Sequence, residues 1–286
     1  MKRVLVAGAT GHLGRHLVAA LRERGATVRA LGRSAERLAV TGAHETHVAD
    51  PLRPDPLEPA LRDVDAVVSC LGASVALSLA GWASYLHVDV PANARLIAAA
   101  EAAGVRRFVY VSTHHTEEMR SLGYVRAHEA VAARLRVSSL DAAVVRPTGF
   151  HSAYVALLDL ARKGPVPLFG DGSARTNPIH DGDLAAVCAD LAASSGAEDV
   201  VAGGPEVLTR RDIAVLACRA VGKEPSFRPA PPGVARFAGA LLRPFHPRLS
   251  HLIPFLVAVS TSDCLGPVRG TRRLEETFAE AARALS

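Results

Sequence analysis

The chain has 286 residues, 49% hydrophobic and 21% charged, which excludes a disordered or tail-like polypeptide and is ample for a core of its own. Thirty-three basic and 28 acidic residues leave a net charge of +5, and the cations are scattered without runs, which argues against a nucleic-acid partner. Only Lys2, Lys163 and Lys223 are lysines, so chemistry that needs an ammonium group has few places to occur.

Residues 2–8 are a short apolar run ending in glycine, the pattern of a buried strand. Leu13, Leu17, Val18 and Leu21 mark one face of a helix over 12–24, closed by Gly25. Further strands are expected at 27–31, 45–49, 65–70, 107–112 and 142–146, the last stopped by Pro147. Helices are expected at 88–103 and 124–137. This alternation predicts a parallel sheet with helices on both faces, an α/β doubly wound (Rossmann) fold.

Residues 1–150 read as the dinucleotide-binding domain, and 151–286 as a smaller substrate lobe interleaved with the end of the sheet. In the second part helices are expected near 182–194, 210–221 and 271–285. Residues 225–254 are proline-rich and hold one amphipathic stretch, Val234, Phe237, Ala238 and Leu241. Cys70, Cys188, Cys218 and Cys264 show neither CxxC pairing nor metal-ligand spacing, as expected of reduced thiols in the cytoplasm. The chain opens on a strand pattern rather than a signal peptide. The apolar stretch 252–259 is too short to span a bilayer, so no membrane partner is expected.

The first strand–turn–helix reads Gly8-Ala9-Thr10-Gly11-His12-Leu13-Gly14. Its glycines suit a tight turn, close approach of a pyrophosphate and close helix–strand packing. The helix N-terminus behind them presents free N–H groups and the positive end of its dipole. After the second strand stand Gly32, Arg33 and Ser34, with no acidic residue to hold a ribose 2′-hydroxyl. That favours NADP(H) over NAD(H), with Arg33 and Ser34 on the 2′-phosphate. Asp50, after the third strand, has two readings: a contact to adenine, or a turn former. Cys70, Leu71 and Gly72, after the fourth, are expected to run along the cofactor ribose.

Together with three later segments, this opening resembles extended or atypical short-chain dehydrogenases/reductases, near the NmrA-like and isoflavone-reductase-like branches. The segments are Val105-Arg-Arg-Phe-Val-Tyr-Val-Ser112, Leu140 to Phe150 with its Arg146-Pro147-Thr148-Gly149-Phe150 end, and Asn177-Pro-Ile-His-Asp-Gly-Asp183-Leu-Ala. The resemblance covers essentially the whole chain but thins after about residue 222. It implies cofactor contacts from Pro147, Thr148, Gly149 and Phe150.

It also implies a Ser/Thr at the end of the fifth strand and a Tyr-x-x-x-Lys on the next helix. Hydride transfer to a carbonyl carbon leaves an oxyanion that needs a proton and hydrogen-bond donors. Ser112 and Thr113 occupy the strand end, with Thr113 the preferred substrate-facing hydroxyl, and Tyr124 occupies the tyrosine position. The lysine position holds His128. This histidine could touch the nicotinamide ribose, act as a weaker electrostatic partner for Tyr124, or mark lost catalysis. His114 and His115 are expected to shape the pocket rather than bind a metal, and His180 to be a structural hydrogen-bonder.

The implied activity is NADP(H)-dependent hydride transfer to or from a hydrophobic carbonyl, enone or quinone-like small molecule. The alternatives are a non-catalytic NADP sensor or scaffold, as the NmrA-like branch implies, or an epimerase or dehydratase. Trp82 and Tyr85 would cover the substrate or belong to the core. The same choice applies to Phe237, Leu241, Leu242, Phe245, Leu252 and Phe255. Monomer and homodimer both stay open.

Overall fold

The computed structural model describes residues 2–73, 75, 79 and 81–285. Seven strands pair in parallel into one sheet: β1 (Arg3–Ala7), β2 (Thr27–Gly32), β3 (Glu45–Val48), β4 (Ala66–Ser69), β5 (Arg107–Val111), β6 (Asp141–Pro147) and β7 (Glu198–Ala202). Their order is β3-β2-β1-β4-β5-β6-β7, the doubly wound arrangement. Every residue of β4 and β5 is buried, as both covered faces require.

Side-chain alternation divides the core in two. Val4 and Val6 point into a cluster with Leu13, Leu17 and Val18 of α1 (His12–Glu23). Leu5 and Ala7 point to the other face, where α2 (Tyr85–Ala102) supplies Leu96 and Ile97 and α3 (Gly123–Arg136) supplies Val131 and Leu135. α4 (Asp181–Ala193) completes the first face with Leu184, Ala185 and Cys188. Beyond the sheet lie α5 (Arg210–Ala220), α6 (Pro232–Leu241), α7 (Pro247–Thr261) and α8 (Leu274–Arg283). Among the described residues no helix is long and apolar enough to cross a membrane.

Several expectations need correction. The seventh strand was not anticipated, because Glu198 and Asp199 interrupt its apolar pattern. Both acids are ion-paired: Glu198 lies 3.0 Å from the Arg107 guanidinium, and Asp199 lies 2.6 Å from that of Arg146. Arg107 is buried and also donates to the Leu191 and Gly196 carbonyls and to Asp141. Removing it would leave several acceptors without a partner. The sixth strand also runs through Pro147 instead of stopping before it. Proline lacks only the donor, and its carbonyl still accepts from the His114 N–H at 3.0 Å. Finally, the proline-rich segment holds the unforeseen helix α7. Pro247 sits in its first turn, where the missing N–H costs nothing, and Pro254 lies inside it.

Candidate active site

The chain leaves β1 toward β2 and β3, then returns to form β4 on the other side of β1. The carboxyl ends of β1 and β4 therefore bound a topological switch point, where open α/β sheets hold ligands. The register brings Ala7 beside both Leu31 and Ser69, Ser69 beside Tyr110, and Val111 beside Val145. Gly8, Arg33, Cys70, Ser112 and Thr148 follow these strand ends and so share one edge.

Gly8 has φ +85°, and a Cβ there would lie 2.8 Å from the Cys70 carbonyl oxygen. A Cβ on Gly14 would lie 2.2 Å from the Gly8 carbonyl oxygen and 2.7 Å from Ala9 Cα. The Gly11 N–H donates to the Gly8 carbonyl at 3.0 Å and closes the turn. Gly11 then caps α1 without a side-chain acceptor, and no acid stands in the first turn with His12 and Leu13. Unshared helix N–H groups facing a bare backbone concavity fit an anionic pyrophosphate.

Arg33 is exposed beside this loop. The Ser34 hydroxyl accepts from the Arg37 N–H at 3.3 Å and caps the short helix over residues 35–39. Arg37, which the sequence reading passed over, donates from Nη2 to the Thr10 carbonyl at 3.3 Å. It brings a guanidinium to the glycine loop. Asp50 turns onto its own loop, accepting from the Leu52 N–H at 3.0 Å and lying 3.8 Å from Arg53.

The loop Cys70–Ala73 is held from below by residues that the motifs did not reveal. Asn93 donates from Nδ2 to the Leu71 carbonyl at 3.3 Å and accepts from Ser69 Oγ at 2.6 Å. Asp89, one turn earlier, accepts from the Ala73 N–H through Oδ1 at 2.8 Å. Its Oδ2 is buried without a hydrogen-bond partner and faces Gly72. Burial pushes the Asp89 carboxyl up to about 7, against the lowering effect of the Ala73 N–H. The signal was a polar pair at i, i+4 on the buried face of α2, a stripe that otherwise reads as core. Burial likewise pushes the Cys70 thiol up to about 12, so it stays protonated.

At the end of β5 the Thr113 hydroxyl donates to the His114 carbonyl at 3.3 Å, whereas Ser112 Oγ is buried with no partner. His115 Nε2 lies 4.0 Å from Glu129. Tyr124 is half-buried at the start of α3, with Tyr85 edge-on at 4.7 Å, His128 at 4.7 Å and Phe255 of α7 at 4.3 Å between ring centroids. Burial, and then Tyr85 and Asp89, raise its phenol above the ordinary tyrosine value. Among the described residues no cation counteracts this.

His128 is buried, with Nδ1 2.7 Å from the Tyr110 hydroxyl and Nε2 without a partner. Burial, then Arg146 and His115, hold its pKa down to about 3. It is therefore neutral at physiological pH and does not supply the charge of a lysine.

Two of the four motifs meet at the end of β6. The Ile179 N–H donates to the Gly149 carbonyl at 2.8 Å, and Phe150 bridges to Ile179. The Thr148 hydroxyl donates to the Asn177 carbonyl at 2.6 Å, so its polarity is spent on backbone. Phe150 and Cys70 pack on the same core cluster. His180 caps α4, accepting from the Gly182 N–H at 3.0 Å, as a structural role requires. Of the apolar residues expected to line a pocket or core, Tyr85, Leu252 and Phe255 are buried, and Leu242 packs with them. Trp82, Phe237, Leu241 and Phe245 face outward instead.

The NAD(P)H-binding family model matches residues 8–195. The chain is 30% identical over 265 residues to the chloroplastic divinyl chlorophyllide a 8-vinyl-reductase of Cucumis sativus, covering 84% of this chain and 62% of that protein. It thus spans less than two thirds of that relative's length. It is also 30% identical over 240 residues to the (4-alkanoyl-5-oxo-2,5-dihydrofuran-3-yl)methyl phosphate reductase of Streptomyces griseus, covering 82% of this chain and 79% of that protein. Among solved structures, an NADPH-dependent quinone oxidoreductase from Escherichia coli, complexed with NADPH, superposes with TM-score 0.76 at 20% identity. The match covers 97% of this chain and 99% of that one and shows a shared fold.

Proposed function

The chain belongs to the NAD(P)H-binding family, and from that premise we propose that it is an NADP(H)-dependent reductase, of the extended short-chain type, acting on a hydrophobic carbonyl, enone or quinone-like compound. One observation carries the reading. The glycine cradle and three buried polar atoms without partners among the described residues, Ser112 Oγ, Asp89 Oδ2 and His128 Nε2, gather at or near the carboxyl edge of one sheet. Buried polar atoms in a folded protein are rarely left unpaired unless a ligand or water completes them. That two relatives are named reductases supports the same class of chemistry.

In this reading Gly8, Thr10, Gly11, His12, Leu13 and Gly14 hold the pyrophosphate, and Arg33 and Ser34, with Arg37, the 2′-phosphate. Cys70, Leu71 and Gly72 pass along the ribose, and Pro147, Thr148, Gly149 and Phe150 back the nicotinamide. Asp50 remains with its own turn. When bound, the nicotinamide supplies the hydride. Tyr124 Oη holds the proton that the substrate oxygen or carbon requires; its raised pKa keeps that proton on the phenol until negative charge develops beside it. Ser112 Oγ, with Thr113 beside it, donates to the same oxygen. Neutral His128 fixes one end of Tyr110 and offers Nε2 to the ribose. Tyr85 and Phe255 wall the ring of Tyr124 and favour an apolar substrate.

The cofactor assignment is tested by titrating the protein and Arg33→Ala with NADPH and NADH. A lost charge-assisted bond to phosphate is worth about 1.5–3 kcal/mol. NADPH affinity is expected to fall by about tenfold or more, with NADH unchanged. Equal weakening of both would remove the 2′-phosphate reading.

Asp89 gives a pH signature. It is half-ionised at about 7, within the electrostatic reach of Tyr124. Above that pH its negative charge makes the phenol a poorer acid, so turnover is expected to fall as pH rises through about 7. The step should vanish in Asp89→Asn; a step of the same size in the variant would clear Asp89 of the effect.

A non-catalytic NADP-binding role is favoured by one observation, the neutral histidine in place of a cation. Tight NADPH binding without oxidation by any enone, quinone or ketone of a broad panel would make that the better reading.

A further inference from the structure

We propose that the outward apolar ridge of Leu79, Trp82, Val234, Phe237, Leu241 and Phe245 docks this protein on the surface of an anionic lipid bilayer. These six side chains are between 59% and 81% exposed. Scattered exposed apolar residues need no explanation, but these are gathered. In α6, Val234, Phe237 and Leu241 fall at i, i+3 and i+7, one face of the helix, and Phe245 continues the line a turn later. The helix buries only Gly239, whose Cα face lies against Ile253 and Pro254 of α7. Its large side chains therefore face away from the protein.

The loop before α2 is tied to the end of this ridge. Trp82 Nε1 donates to the Phe245 carbonyl at 2.7 Å, Arg248 Nε donates to the Gly81 carbonyl at 2.7 Å, and His246 Nε2 lies 3.3 Å from the Leu79 carbonyl. Leu79, Gly81 and Trp82 are thus joined to the Phe245 end of the ridge, more than 160 residues away in sequence.

Charge selects the occupant. Neither residues 66–88 nor residues 225–262 contain an Asp or Glu. Arg228, Arg236 and Arg243 are exposed along the second segment. Behind the ridge, His251 has its pKa lowered by burial and then by Arg243, Arg126 and His87, with no carboxylate acting on it. An apolar, aromatic face bordered by arginines matches a headgroup layer that carries negative charge. A second copy of the chain fits less well, since a two-fold contact would set these cations against their own mates. The expectation of no membrane partner rested on the lack of a spanning stretch, and surface docking needs none.

The ridge lies one helix from the candidate site, because α7 carries both the seat of Gly239 and Phe255, which touches Tyr124. An apolar substrate dissolved in lipid would meet the protein one helix away from Tyr124. The docking itself is independent of the reductase reading, since lipid binding involves no turnover.

The test uses the full chain with vesicles of phosphatidylcholine alone and of phosphatidylcholine mixed with phosphatidylglycerol. Trp82 is the chain's only tryptophan and sits in the ridge, so its emission reports insertion directly. Co-sedimentation with the anionic vesicles is expected, with Trp82 emission moved to shorter wavelength, and binding should weaken as salt rises. Each arginine near a charged surface strengthens binding roughly fivefold, so Arg236→Gln/Arg243→Gln should weaken it by about tenfold or more. Phe237→Ser/Leu241→Ser should abolish the emission shift. Both double variants change exposed side chains, and retained NADPH affinity checks that they fold. Three results would each overturn the proposal: no sedimentation with either vesicle at low salt, unchanged binding by the Phe237/Leu241 variant, or a concentration-dependent dimer that this variant disrupts.

Discussion

Replacing Tyr124 by phenylalanine is expected to lower turnover by about 10²-fold, with NADPH affinity and the unfolding midpoint nearly unchanged. General acids contribute roughly 10²–10⁴-fold, and the environment of this tyrosine argues for the low end. The ring is held on three sides by Tyr85, His128 and Phe255, so positioning is good. Among the described residues no cation stabilises the phenolate left after proton transfer, and its neighbours Tyr85 and Asp89 disfavour negative charge. His128 cannot help by charging, since its pKa lies near 3. Phenylalanine keeps the ring packing and removes only the hydroxyl, so a loss confined to kcat would identify a proton donor. Unchanged turnover would remove Tyr124 from the chemistry and leave protonation to Ser112, Asp89 or water.

How much of this was visible in the chain follows from how local each feature is. The glycine loop, the strand before it and the helix after it are set by residues within about a dozen positions of one another, so periodicity and turn chemistry suffice. The same holds for Ser112, Tyr124 and His128, which fall in register with a known family pattern. β7 was hidden because its acids are stabilised by Arg107 and Arg146, partners more than fifty residues away in sequence. α7 was hidden because two prolines mask a helix whose Leu252 and Phe255 pay off only when packed on Val125 and Tyr124. Asp89 and Asn93 carry no motif of their own. Their role depends on the loop after β4 folding back over α2, which no spacing in the sequence states.

The fate of His128 sharpens that point. At the level of sequence a histidine in place of lysine leaves open whether a positive charge survives. The Tyr110 hydroxyl at Nδ1 and the burial of the ring decide it, and neither is legible from adjacent residues in the chain. The substitution changes the character of the site: hydrogen bonding is retained, while the ammonium field that would favour a tyrosinate is absent.

The glycine loop makes the second large prediction, because its tightest contact is backbone against backbone. In Gly14→Ala the new Cβ would lie 2.2 Å from the Gly8 carbonyl oxygen and 2.7 Å from Ala9 Cα, and none of these atoms is the mobile end of a side chain. The clash can be relieved only by moving α1 away from the turn after β1. Overpacking of this kind costs about 1–3 kcal/mol, and the same displacement pulls the N-terminal N–H groups of α1 off the phosphate position. NADPH and NADH affinities are both expected to fall by more than tenfold, in contrast to the selective effect of Arg33→Ala. Gly25→Ala is the control. Gly25 also ends a helix at φ +76°, but nothing lies within 4 Å of its would-be Cβ, so backbone strain of about 1 kcal/mol is the whole cost and cofactor binding should survive. Urea unfolding and nucleotide titration of the two variants separate strain from steric exclusion. If Gly14→Ala bound both nucleotides like the parent, α1 would not be the phosphate-binding helix.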